Sequence, residues 1–183
     1  MAKLRIDRDD AICVAVDFQS RIFPAMHNNE ELGSTVVKFL SGMKVLGIPT
    51  LVTQQYTKGL GETIEPIAQA IGEFAPIEKT TFSCMAEPEF VKALEKSGKH
   101  TVIMCGIEAH ICVEQTAIDL LDAGYKVYMV GDCVQSRDPK NKECMFRRVT
   151  AGGGTITNYE SVLYELLGGA KAPEFKQISA IVK

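Results

Sequence analysis

The stretch Thr101-Val-Ile-Met-Cys-Gly-Ile-Glu-Ala-His-Ile-Cys112-Val-Glu-Gln-Thr-Ala-Ile-Asp-Leu-Leu-Asp122 decides the fold. Residues 101–105 are apolar and β-prone, a run long enough for a buried strand. Gly106 interrupts it. From about Ile111, apolar residues return at helical spacing, as Ile111, Ala117, Ile118 and Leu121, and Gly124 ends the helix. Cys112 therefore falls near the first helical turn, just past the carboxyl end of a strand. Unpaired N–H groups and the positive end of the helix dipole favour a thiolate there, while burial favours the neutral thiol. Position alone leaves two readings: a nucleophile, or one more buried core cysteine.

The same alternation runs outward through the chain. Strands are expected near 11–16, 50–53, 75–77, 126–130 and 155–157, and helices near 31–46, 64–72, 87–97, 139–150 and 159–168. Gly42 lies inside the first helix and weakens it. Lys58 to Gly61 reads as loop, and Gly131-Asp132 as the end of its strand. The tail 171–183 carries Phe175, Ile178, Ile181 and Val182, which are expected to dock on this subunit or another. Strands alternating with helices imply a three-layer α/β/α sandwich around a parallel sheet of about six strands. In such sheets the ligand crevice lies beyond the carboxyl ends of the strands.

The chain of 183 residues is expected to form a single domain, 1–183. Lys and Arg number 20 against 23 Asp and Glu, a net charge of −3 with no basic footprint for nucleic acid. No apolar run approaches the ~20 residues of a membrane span. Residues Met1 to Arg8 lack the apolar core of a secretion leader, so a cytoplasmic location is expected. The six cysteines form no Cys-x-x-Cys pair. His110 and Cys112 are close in sequence but have no third ligand beside them, so no metal and no cofactor are expected.

Three reactive side chains fall at separate strand ends: Asp17, Lys79 and Cys112. Singly, each has an ordinary reading as a cap, a surface lysine or a core thiol. On one rim they are a nucleophile, a base and a cation. Their settings are Val16-Asp17-Phe18-Gln19, Glu78-Lys79-Thr-Thr-Phe82-Ser83 and Gly106-Ile-Glu-Ala-His-Ile-Cys112. In these motifs the sequence resembles the isochorismatase-like cysteine hydrolases, across nearly the whole chain.

The resemblance implies strand order 3-2-1-4-5-6 and a catalytic triad at Asp17, Lys79 and Cys112. It also implies a non-proline cis peptide at Ile107–Glu108, with the backbone amides of Glu108 and Cys112 as an oxyanion hole. The implied activity is metal-independent hydrolysis of a small amide- or carbamoyl-type substrate through a thioester. The competing reading is an idle fold kept as an interaction scaffold. Nicotinamidases of this superfamily carry an aspartate and histidines after the second strand; here Gln54-Gln55-Tyr56 stands instead, so no metal is expected. Phe18, Gln19, Tyr56, Phe82 and His110 are the expected pocket residues, with Glu108 beside them. A homo-oligomer is expected from the apolar tail and from the family's habits.

Overall fold

In a computed structural model, which describes residues 5–183, the strands β1 (Ala11–Val16), β2 (Thr50–Gln55), β3 (Ile77–Lys79), β4 (Thr101–Ile107), β5 (Lys126–Gln135) and β6 (Thr155–Thr157) form one sheet. Residues 1–4, part of the stretch read for a leader, lie outside the described residues. All pairings are parallel, and the order is β3-β2-β1-β4-β5-β6, as the sequence reading expected. The order reverses between β1 and β4, which places the crevice at their carboxyl ends.

Alternation along the central strands supplies two cores. Ala11, Cys13 and Ala15 face one side, where α1 (Asn29–Val45), α3 (Glu65–Ile71), α7 (Tyr159–Leu167) and α8 (Phe175–Val182) pack. Ile12, Val14 and Val16 face the other, under α4 (Pro88–Ser97), α5 (Glu114–Asp122) and α6 (Pro139–Ala151). A strand covered on both faces has no polar side to show, which is why β1 and β4 read as continuous apolar runs. The helix α1 buries Leu32, Val36, Phe39, Leu40 and Met43, one stripe at helical spacing.

Several expectations change. Gly42 does not weaken α1; a Cβ there would lie 2.5 Å from Leu163 Cδ2, so glycine lets α7 approach closely. Most of the stretch Lys58 to Gly61, expected as loop, belongs to the short helix α2 (Thr57–Leu60). Gly106 does not end β4. It sits within the strand at φ +153°, and a Cβ there would lie 2.7 Å from Val16 O. Gly131 and Asp132 lie inside β5, where the register against β4 shifts between Met104 and Gly106. That irregularity reverses the facing of the strand. Tyr128 and Val130 share a core with Cys133 rather than with Val134, and the strand runs on to Gln135. The tail docks on this chain as α8, burying Ile178 fully against the first core.

Candidate active site

Parallel register brings the reactive groups to one level. Val16 pairs with Thr53 on one side and Gly106 on the other, and Gln55 pairs with Lys79. The chain then turns sharply at Asp17, whose φ is +54°. Asp17 is 3 % exposed and Lys79 1 %. Lys79 Nζ donates to Asp17 Oδ2 at 2.7 Å, to Gln55 Oε1 at 2.7 Å, and to the carbonyls of Thr81 and Phe82, both at 3.2 Å. The other carboxylate oxygen, Asp17 Oδ1, accepts from Thr53 Oγ1 at 2.8 Å. A buried ion pair of this kind persists only when its remaining donors and acceptors are satisfied, and here they are.

Cys112 enters from the far side of the switch point. After β4 the Ile107–Glu108 peptide is cis, and residues Ala109–Val113 form a wide turn that leads into α5. Two contacts fix this turn against the loop that follows β3. Thr116 Oγ1 donates to the Cys112 carbonyl at 2.6 Å and accepts from Cys84 N at 2.9 Å. Ser83 Oγ donates to Asp119 Oδ2 at 2.5 Å. The Cys112 thiol faces Asp17 and lies 3.9 Å from Gln55 Oε1.

The electrostatics follow from burial. Loss of solvent, and then the Asp17 charge beside it, push the Cys112 thiol up to about 12, with Lys79 opposing. Burial thus favours the thiol over the thiolate. Burial also works against the Lys79 ammonium, but the Asp17 charge hydrogen-bonded to it outweighs this and raises the pKa. Cys84, a second buried thiol close to the pair, is pushed up to about 11 by burial.

A pocket of about 90 Å³ opens here, lined by Asp17, Gln55, Glu108 and Cys112 together with apolar Ile22, Leu60, Ile107 and Ile111. Of the five side chains expected as pocket residues, Phe82 alone lines it. Phe18 is fully buried in the first core, edge-on to Phe23. Gln19 is a loop clamp: its Nε2 donates to the Gln55 and Gly61 carbonyls, and its Oε1 accepts from Gln55 N. Tyr56 turns outward, 51 % exposed. His110 is engaged with Ser136 Oγ at 2.9 Å and with Asn141 Nδ2 at 3.4 Å. Sequence reasoning missed Gln55 as a lining residue. Its place was legible, because alternation puts it on the same face of β2 as Thr53. The apolar linings Ile22 and Leu60 come from connecting segments that carry no such periodic signal. Among the described residues no group of three or more His, Cys, Asp or Glu side chains gathers as a metal site.

Residues 11–161 match the Isochorismatase domain family. The chain belongs to that family. Isochorismatase domain-containing protein 1 of Salmo salar is 38 % identical to this isochorismatase-domain chain over 168 residues, 91 % of the chain. The chain spans 59 % of that relative's length, and the same share of the Danio rerio protein of that name. Among solved structures, the MAR1 ribonuclease of Caenorhabditis elegans superposes with a TM-score of 0.90 at 34 % identity, covering 97 % of this chain and 92 % of its own. The YcaC gene product of Escherichia coli, an octameric hydrolase of unknown specificity, superposes at 0.89 with 18 % identity, a likeness of fold, over 98 % and 97 % of the two chains. The isochorismatase family thus accounts for the sheet and for a hydrolase fold.

Proposed function

We propose that this chain is a metal-independent cysteine hydrolase that cleaves a small amide- or carbamoyl-type substrate through a thioester, with Asp17, Lys79 and Cys112 as its catalytic triad. The observation that carries this reading is the buried Asp17–Lys79 pair, 2.7 Å from Nζ to Oδ2, whose Asp17 lines the same small pocket as Cys112. A scaffold needs no such arrangement, because a buried pair contributes little or nothing to stability beyond what packed apolar residues would.

The chemistry begins from a neutral thiol. Asp17 takes the Cys112 proton as sulfur attacks the carbonyl carbon, and the π pair moves onto oxygen. The amides of Glu108 and Cys112 hold that oxyanion. As the tetrahedral adduct collapses, the C–N bond breaks and the departing nitrogen takes the proton from Asp17. Water then adds to the thioester, giving a proton to Asp17. The C–S bond breaks, and the proton returns to sulfur as the acid leaves. Lys79 stays charged throughout; it orients Asp17 and offsets the negative charge that moves between carboxylate and sulfur.

The C. elegans neighbour is described as a ribonuclease. Net charge −3 and an apolar pocket of about 90 Å³ favour a small molecule over RNA here. The chain is read as a single domain and as a homo-oligomer, in line with the octameric E. coli neighbour. Six free cysteines fit a reducing, cytoplasmic setting. The test is intact-mass screening against a library of small amides and ureas. An acyl adduct on Cys112 that disappears in Cys112→Ala supports the reading. RNA cleavage by Cys112→Ala at the wild-type rate, with no adduct from any amide, overturns it.

A further inference from the structure

Gln55 turns one atom toward the reacting sulfur, and that atom is fixed. Its Nε2 donates to the Thr80 carbonyl at 3.0 Å, and its Oε1 accepts from Lys79 Nζ at 2.7 Å. A carbonyl can only accept and an ammonium can only donate, so the side-chain amide has one orientation. Its backbone is clamped as well: Gln55 N donates to Gln19 Oε1, and the Gln55 carbonyl accepts from Gln19 Nε2. Oε1 lies 3.9 Å from the Cys112 sulfur, and Gln55 lines the pocket beside it. Lys79 engages one lone pair of this oxygen, which leaves the second for the thiol or for whatever the sulfur attacks.

The other polar side chains of the wall have the same sense. Asp17 accepts on both oxygens, from Thr53 Oγ1 and Lys79 Nζ. Glu108 accepts from Arg137 N at 3.2 Å and from Arg137 Nε at 3.1 and 3.2 Å. Lys79 offers nothing to a ligand: its three protons face four acceptors, Asp17 Oδ2, Gln55 Oε1 and the Thr81 and Phe82 carbonyls. The rest of the side-chain wall is apolar, as Ile22, Leu60, Phe82, Ile107 and Ile111. Beside the sulfur, the side chains other than the thiol itself therefore accept hydrogens and give none. In the tetrahedral adduct the former carbonyl oxygen and the nitrogen are both one bond from the carbon that sulfur has attacked. Gln55 Oε1 repels the oxyanion and attracts an N–H, so it turns the nitrogen to the Asp17 side, where the departing group needs its proton.

We infer that Gln55 determines specificity: its Oε1 accepts a hydrogen from the scissile nitrogen, so the site takes primary carboxamides with a small apolar acyl group and discriminates against groups of the same shape whose hydrogens are missing. This rests on the hydrolase reading for the identity of the ligand as substrate; binding itself does not need the thiol. The test therefore uses Cys112→Ala protein and NMR titrations with isobutyramide and with 3-methyl-2-butanone, a ketone of nearly the same shape with CH3 in place of NH2. The amide is expected to bind about tenfold tighter, the worth of a typical net hydrogen bond. Adding Gln55→Met should cut the ratio to about threefold or less, with Asp17 as the remaining acceptor. Gln55→Glu, which keeps an oxygen there, should hold the preference. Equal binding of the two probes, no binding of either, or an undiminished ratio with Gln55→Met overturns the inference. If the Gln55→Met protein fails to fold, N,N-dimethylisobutyramide decides: binding as tight as that of the primary amide overturns the inference, and weaker binding supports it. If the preference and its dependence on Gln55 hold but no amide acylates wild-type Cys112, the role of Gln55 stands and the hydrolase reading falls. If amides acylate Cys112 with no such preference, the hydrolase reading stands and this inference falls.

Discussion

Lys79 Nζ and Asp17 Oδ2 sit 2.7 Å apart although 62 residues separate them in the chain, and neither side chain is more than 4 % exposed. Neither charge is tolerable there alone, so each residue's presence depends on the other's. Lys79→Met should leave a buried carboxylate uncompensated and destabilise by about 3–5 kcal/mol. The double variant Lys79→Met/Asp17→Asn should recover much of that loss while restoring no activity. Urea titrations of the singles and the double measure this directly. Additive losses would show that the pair is not coupled.

Thr53 is the less obvious partner. Its hydroxyl gives Asp17 Oδ1 a donor at 2.8 Å, and the residue is fully buried. Thr53→Val keeps the shape and removes the donor, leaving a buried carboxylate oxygen short of a partner. A stability loss of about 1–3 kcal/mol is expected. If Thr53 positions the base, kcat should also fall with KM little changed, because a carboxylate that has lost this donor is held less firmly toward the sulfur. Lower stability with an unchanged kcat would confine Thr53 to packing.

How much of this was legible in the sequence follows from what each feature depends on. β1 and β4 show as uninterrupted apolar runs because both faces are covered. Asp17 and Lys79 stand at strand ends that parallel register brings level, and Cys112 follows β4 through the turn beyond it. Gln55 could have been found by period two from Thr53. By contrast, Phe18 and Tyr56 were misread because a residue next to a strand end can point either way, and the turn at Asp17, φ +54°, sends Phe18 inward. The extension of β5 past Gly131 depends on a register shift against β4 that no local pattern marks. The Glu108–Arg137 pair joins two loops 29 residues apart and leaves no periodic trace.

Gly106 is the tightest point between β1 and β4. At φ +153°, a Cβ would come within 2.5 Å of Val16 Cβ and 2.7 Å of its carbonyl oxygen. Gly106→Ala should cost about 1–3 kcal/mol by overpacking. Because β4 carries the turn to Cys112 and β1 carries Asp17, relief by strand separation should reduce activity more than stability. Thermal unfolding alongside kcat separates the two. An alanine variant with full activity and an unchanged Tm would show that the strands have slack.

The last expectation concerns Asp17 as a brake on the resting thiol. Burial and then the Asp17 charge raise the Cys112 thiol to about 12, and Lys79 is the group that lowers it. Asp17→Asn removes one raising influence and leaves Lys79 unopposed, so the thiol should ionise more readily. The variant should lose hydrolysis yet react with iodoacetamide faster than wild type at pH 8, as seen by intact mass with adducts mapped to Cys112. Circular dichroism checks that it is folded. The same raised values set the alkaline limit of the wild-type fold. Cys112 and Cys84, at about 12 and about 11, keep their protons in the folded chain while an unfolded thiol ionises near its ordinary value of 9.0. Between those values the unfolded chain binds fewer protons, so stability falls as pH rises from about 9 towards 12. Each such thiol adds a slope of about 1.4 kcal/mol per pH unit once ionised in the unfolded chain. Cys84→Ala should flatten that slope. Alkylation of Cys112 that levels off below pH 8 in wild type, with no gain in Asp17→Asn, would mean the thiol is already ionised at rest and that Asp17 is not its base.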